Sequence, residues 1–226
     1  MAQHTVLQQF ARWHIWLGWL VGVPLLLWTA TGLFMAARPI EEVRGEHLRA
    51  KAPPVDAAGL VLPSLDGPIT RLTLLHQGGR DVWVIGIADG APRRFDARSG
   101  APTVPVTEGE ARHLADTAYT GTAPLSTLTR IAAAAAPLDL RKARPSWQAH
   151  FDDGTNLYLD ADTGEILALR TGWWRAYDFM WGLHIMDLQT REDSSHPFLW
   201  VFGTLSFISC LLGTSLLFRR RRIVRR

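Results

Sequence analysis

Two stretches without a charged residue interrupt an otherwise polar chain, one near each end. The first, residues 15–37, holds 23 uncharged positions, and the second, residues 198–218, holds 21. At about 1.5 Å of rise per residue, a helix of 23 residues extends roughly 34 Å, enough for a hydrocarbon core of about 30 Å. No other segment approaches this length, so the pattern predicts two transmembrane helices separated by 160 residues, 38–197. A removable export signal competes for the first run, with Ala36 and Ala37 as its small-residue site. Its apolar region is ordinarily only about 7–15 residues long, whereas this run is longer and carries Trp16, Trp19 and Trp28, which favours an uncleaved anchor.

Between the spans the pattern repeats. At a constant offset of 64 residues, WVIGIADGAPRRFDARSG (83–100) aligns without gaps to WQAHFDDGTNLYLDADTG (147–164). Trp83 matches Trp147, Asp89-Gly90 matches Asp153-Gly154, Asp96 matches Asp160, and Gly100 matches Gly164. Each copy reads as a strand, an Asp-Gly turn, a second strand, and an Asp-x-x-x-Gly turn feeding a third. Each is also expected to begin with a helix. Thr107 with Glu110 forms a capping box, and Ala111, Leu114, Ala115 and Ala118 supply an apolar face; Asp56 caps a poorer candidate through Leu60, weakened by Gly59 and Pro63. Residues 53–104 and 105–170 are therefore two small units, each an antiparallel sheet with a helix against it, after a linker at 38–52. The alanine run 132–136 reads as ordinary packing ended by Pro137. Beyond the second unit, Trp174, Tyr177, Trp181, His184 and Leu188 recur at spacings of 3 and 4, so residues 171–197 hold an amphipathic helix suited to a membrane interface.

Charge orients the spans. Arginines 219–222, 225 and 226 follow the second helix, which places the tail, residues 219–226, in the cytoplasm. Two spans return the N-terminus, residues 1–14 with Arg12, to the same side and put residues 38–197 in the periplasm. The net charge of +3 rests on that tail and suits anionic lipid headgroups, not nucleic acid. The one cysteine, Cys210, excludes an internal disulfide and a thiolate metal cluster. No Gly-x-Ser-x-Gly, His-Glu-x-x-His, phosphate loop or dinucleotide fingerprint occurs, so hydrolase and nucleotide-enzyme readings find no support. Asp152, Asp153, Asp160 and Asp162 fit hairpin turns, and an EF-hand calcium loop would need a different spacing and a Glu at its twelfth place.

Helix, strand, Asp-Gly turn, strand and then YLDADTGEIL (158–167) resemble the PepSY domain, whose strands end in a D-x-x-T-G-x turn. WHIWLGWLVGVPLLLWTATGLF (13–34) is similar to the first helix of the PepSY-associated transmembrane family, with its His-x-Trp-Leu-Gly start and Thr-Gly end. GLHIMD (182–187), followed by a span ending LLFRRRR (216–222), is similar to a later helix of that family, which often carries glycine where Met186 stands here. The resemblance covers nearly the whole chain. It implies an α+β membrane protein in which two transmembrane helices flank a periplasmic region of two PepSY-like units. Some larger members are associated with ferric-siderophore reduction through haem.

Imidazole is the metal ligand left once cysteine is set aside. His14 opens the first span with Gly18 and Gly22 at i+4 and i+8, a Gly-x-x-x-Gly face that admits a close helix or a flat macrocycle. It reads equally as an interfacial residue in a belt of Trp13, Trp16 and Trp19. His184 lies on the aromatic stripe, which either anchors the chain at the interface or, as the resemblance implies, walls a haem. His196 precedes Pro197 and reads as an N-cap or as a third candidate ligand. Gly203, Ser206, Cys210 and Gly213 form a small-residue stripe for packing against the first span or a second copy. His14 belongs at the opposite membrane face from His184 and His196, so no single haem joins it to either within one chain. Bis-histidine ligation then needs His184 with His196, or equivalent histidines across a homodimer or a partner subunit. His4, His47, His76, His113 and His150 read as surface residues.

Three functions follow as expectations. The first is an inner-membrane, haem-binding electron-transfer component linked to ferric iron or siderophore reduction. The second is a non-enzymatic tethered module that binds a periplasmic protein through its sheet edges, as inhibitory PepSY segments of peptidases imply. The third is an accessory subunit of a larger membrane complex.

Overall fold

The computed structural model describes residues 2–65, 67–88 and 90–224. Asp89 of the first Asp-Gly pair, Arg225 and Arg226 lie outside the described residues, as do the side chains of His4 and of Arg219 to Arg222. In chain order the elements are α1 (Ala2–Ala36), the single turn α2 (Ile40–Val43), β1 (Ile69–Gln77), β2 (Arg80–Ile87), β3 (Arg93–Asp96), α3 (Glu108–Ala118), β4 (Leu125–Ile131), β5 (Ser146–Phe151), β6 (Asn156–Asp160), β7 (Ile166–Arg170), α4 (Gly172–His184) and α5 (Pro197–Val224). They form two compact units: residues 1–38 with 176–226, and residues 39–175.

The first unit is built on α1 and α5. Gln8–Ala36 and Pro197–Phe218 are long and apolar enough to cross a membrane, yet only 11% of each apolar window is buried. The core helices of a water-soluble domain bury such side chains. Here Trp19 and Leu33 stand 82% and 73% exposed, a surface made for lipid. His14 sits beside Ser209 and Gly213, whereas Trp28 sits beside Gly203, so the two helices run antiparallel. The less exposed positions of α5 fall at 199, 202, 203, 205, 206, 209, 212, 213 and 216, recurring every three or four residues along one side of the helix. On α1 the matching seam includes His14, Leu17, Val21, Trp28 and Thr31.

The second unit carries the repeat. One sheet has the order β1-β2-β3 and the other β4-β5-β6-β7, all antiparallel. The 64-residue offset extends to the register: Val82 pairs with Asp96 and Trp83 with Phe95, as Ser146 pairs with Asp160 and Trp147 with Leu159. It extends also to the turns. The Gly100 and Gly164 N–H groups donate to the Asp96 and Asp160 carbonyls, both at 2.9 Å. The two glycines have φ of 73° and 70°, a left-handed conformation in which any larger residue is strained. In each copy a strap crosses the first strand of the repeat. Val61 N–H donates to Ala97 O while its carbonyl accepts the Trp83 indole N–H at 2.9 Å; Val106 does the same with Ala161 O and with Trp147 at 3.1 Å. This is why a tryptophan stands at each repeat start.

The two copies differ in their helices. Thr107 caps α3, its hydroxyl accepting the Glu110 N–H at 3.3 Å. Ala111, Leu114 and Ala115 then pack on Ala149, Phe151, Leu157, Leu159 and Leu169. The Glu110 carboxylate does not close the capping box. It accepts from the buried Arg94 at 2.8 and 3.1 Å and from Arg80, tying α3 to the first sheet. The helix expected from Asp56 does not form: Asp56 accepts the Ala58 N–H in a turn, Gly59 has φ 71°, and the chain runs on extended to make the Val61 strap. The third strand expected after Gly100 shrinks to one bridge, Phe95 with Pro102, because proline offers no ladder N–H. Strands β1 and β4 precede the repeat in each sheet and lie outside its 64-residue alignment.

Gly164→Ala is predicted to destabilise the chain by about 1–2 kcal/mol, the cost of holding a Cβ in the left-handed region. That Cβ also comes within 3.1 Å of Gln77 Oε1 and Leu114 Cδ1. Urea denaturation followed by intrinsic fluorescence, against Thr107→Ala at about 1 kcal/mol, checks it.

Candidate functional site

The α1/α5 seam narrows where glycine replaces a side chain. At Gly213 an added Cβ would lie 2.9 Å from His14 Cε1, so the imidazole rests directly on the backbone of α5. There His14 Nδ1 is 2.9 Å from the Ser209 carbonyl and 3.3 Å from the Ser209 hydroxyl. A carbonyl oxygen only accepts, so Nδ1 carries the hydrogen, and a ring with one hydrogen has its lone pair at Nε2.

His184, the last residue of α4, reaches the far part of α1 in the same way. Gly32 leaves room for it, an added Cβ there falling 3.5 Å from His184 Cε1. Its Nδ1 lies 2.9 Å from Thr31 Oγ1. The Thr31 hydroxyl has its own acceptor in Leu27 O at 2.8 Å; donating there, it accepts from His184 Nδ1–H, which when the ring is neutral leaves the lone pair at Nε2. No described residue forms a hydrogen bond to either Nε2. Trp181 stacks beside His184 with ring centroids 6.5 Å apart.

The segment after His184 is fixed by its carboxylates. Met186 takes the left-handed conformation, φ 60°, and Asp187 N–H donates back to Gly182 O at 2.9 Å, a Schellman closure of α4. Glycine adopts that conformation with the least strain. Asp187 accepts from the Thr190 hydroxyl and from the backbone of Gln189, Thr190, Glu192 and Asp193. The Thr190 hydroxyl and these amides hold its carboxyl well below the usual carboxylate range. Arg191 bridges to the buried Asp178 at 2.7 Å, and its carbonyl accepts the Trp181 indole N–H. The loop thus braces the helix end that carries His184.

His196 is used differently. Its Nδ1 accepts the Phe198 N–H at 3.4 Å, an N-cap of α5, and its ring stacks on Phe198. When neutral it bears its hydrogen on Nε2, the reverse of the other two. His14 of α1 and the α1 residue that meets His184, Thr31, are seventeen positions apart, about 25 Å along the helix axis, so the structure does not bring the two rings together.

Of the predicted packing residues, Gly203 lies against Trp28 and Gly213 against His14, Ser206 is buried, and Cys210 is exposed beside the buried Ser209. An added Cβ at Gly18 or Gly22 would meet nothing within 4 Å. Each step of four residues turns about 40° around a helix, so this glycine face rotates off the seam and stays open. Sequence reasoning missed Thr31 and Ser209 as the partners of the two histidines. The available signal was the Thr31-Gly32 pair at the end of the first-span motif.

Of the other histidines, His76 pairs with Asp81 at 2.8 Å and His150 with Asn156 at 2.7 Å. Among the described residues no group of three or more His, Cys, Asp or Glu is placed to hold a metal ion. The residues that would hold a cofactor are His14 and His184, two separate imidazoles each engaged at Nδ1 and without a hydrogen bond from a described residue at Nε2, a donor type that would suit a haem iron. Compared with known proteins, the chain matches the family model of the PepSY-associated TM region over residues 11–226. No curated protein and no solved structure matches it.

Gly213→Val must displace the His14 ring and is predicted to cost about 1–3 kcal/mol as overpacking. Thermal unfolding in detergent measures it, with Gly18→Val, whose side chain meets open space, leaving the monomer's stability unchanged.

Proposed function

The chain belongs to the family of the PepSY-associated TM region, a family of membrane proteins, and from that premise we propose that it is a haem-binding electron-transfer component. Its setting is the bacterial inner membrane, with both termini cytoplasmic and residues 38–197 periplasmic. Its electrons serve the reduction of ferric iron or a ferric siderophore. The observation that carries this reading is the shared state of His14 and His184: each has its Nδ1–H committed to an acceptor and its Nε2 open, at two depths of one apolar helix pair. A carbonyl or hydroxyl acceptor on Nδ1 raises the basicity of the opposite nitrogen and fixes the ring's aim.

When bound, haem would supply one-electron chemistry in a dry, apolar setting. The rest of the work belongs to the chain. Ser209 and Thr31 orient the imidazoles, Gly213 and Gly32 make room for them, and the Asp187 loop steadies the end of α4. Each chain offers one such Nε2 at each depth, so a haem held by two imidazoles would call for a second copy. The open Gly18/Gly22 face of α1 gives a second copy, or a partner membrane subunit, a place to approach closely.

A second reading has its own observation. Residues 39–175 contain an open cleft of about 810 Å³, walled by α3, the end of β1 and the start of β7, with Arg49, Lys51 and His113 among its lining residues. Strands β1 and β7 are edge strands, and such a cleft suits an extended segment of a periplasmic protein in a non-enzymatic binding module.

A reduced-minus-oxidised visible spectrum of protein purified from membranes separates the two. Sharp haem bands are expected, with His14→Ala and His184→Ala each losing about half of the haem and His196→Ala keeping it all, since the two sites are independent. Haem-free protein from haem-supplemented cells would overturn the first reading and favour the binding module.

A further inference from the structure

The two histidines share a tautomer but not an acceptor. His14 Nδ1–H meets a main-chain carbonyl at 2.9 Å, with the Ser209 hydroxyl as a second acceptor at 3.3 Å. His184 Nδ1–H meets one side-chain hydroxyl at the same distance, 2.9 Å. The lengths are equal, so the difference lies in the acceptors. An amide oxygen is a stronger acceptor than an alcohol oxygen, and the stronger acceptor draws the Nδ1 proton further and leaves more electron density at Nε2. A more electron-rich imidazole favours ferric over ferrous iron and so lowers the reduction potential.

From this asymmetry we infer that Thr31 is a positioning residue that sets His184 as the weaker electron donor of the two, so that iron bound at His184 holds the higher potential and iron bound at His14 the lower. This rests on the haem reading above and deepens it. The acceptor of His14 belongs to the backbone, beyond the reach of any side-chain substitution. The acceptor of His184 is a single side chain, and Thr31 is 98% buried, with Leu27 O and Trp28 O both within reach of its hydroxyl. Thr31 is therefore the place where the potential of one site alone can be changed. Valine has the shape of threonine without the hydroxyl, and Thr31→Val leaves the His184 Nδ1–H without its acceptor.

The test is a potentiometric titration of the visible haem bands in purified full-length protein. Wild type is expected to titrate in two steps. His14→Ala should remove the lower step, and His184→Ala the upper one. Thr31→Val should move the upper step to more positive potential and leave the lower one in place, while Thr31→Ser, which keeps the hydroxyl, restores the wild-type curve. Haem-free wild type would defeat the underlying haem reading. Bound haem with a single shared potential in wild type would overturn the inference by itself, even if Thr31→Val failed to fold. So would a Thr31→Val protein that keeps its haem with both potentials unmoved.

Discussion

The helix pair of the first unit depends on one close approach, the contact of the His14 ring with the backbone of α5 at Gly213. Two helices with large side chains at that level would stand further apart, and Nδ1 would not reach the Ser209 carbonyl. In a membrane the consequence is larger than in water, because an imidazole N–H without a partner at that depth has no solvent to turn to. The contact therefore packs the hairpin, satisfies the polar atom and fixes the tautomer together. Gly32, Thr31 and His184 repeat the arrangement further along α1 with a hydroxyl in place of the carbonyl.

The larger unit obeys a different rule, in which one unit of structure is used twice. A tryptophan indole clamps a valine carbonyl, an aspartate closes a turn at a left-handed glycine, and the same register follows in both sheets. The copies are not equal. The second keeps its third strand and its helix, whereas Pro102 and the Val61 strap remove both from the first. Glu110 compensates by leaving its capping role to reach Arg94 and Arg80, so α3 serves both sheets.

What could be read from the sequence was what is local or periodic. The spans, the repeat, Thr107 as a cap and the Asp-x-x-x-Gly turns each declare themselves within a few residues. Strands β1 and β4 escaped because the repeat does not align them: Leu74 pairs with Trp83 across a two-residue turn, whereas Arg130 pairs with Trp147 across a longer connection. The alanine run 132–136 lies in that connection as a short 3-10 turn, Ala133–Ala135. On the helices, small residues marked out α5 as a packing surface, but choosing Ser209 over Cys210 requires its rotation, which neighbouring residues in sequence do not determine. His14 is a candidate by its position at the start of a span, and His184 chiefly by the family resemblance. Their common chemistry was not legible, because Ser209 lies 195 residues from His14 and Thr31 lies 153 from His184.

The central claim is that the fold prepares both membrane histidines before any ligand arrives. Nitrogen-15 NMR of histidine-labelled, haem-free protein in lipid bilayers reads the tautomer of each ring, with His14→Ala and His184→Ala assigning the signals. The account predicts hydrogen on Nδ1 and a bare Nε2 for His14 and His184, and the reverse for His196. Hydrogen on Nε2 in either His14 or His184 would contradict it.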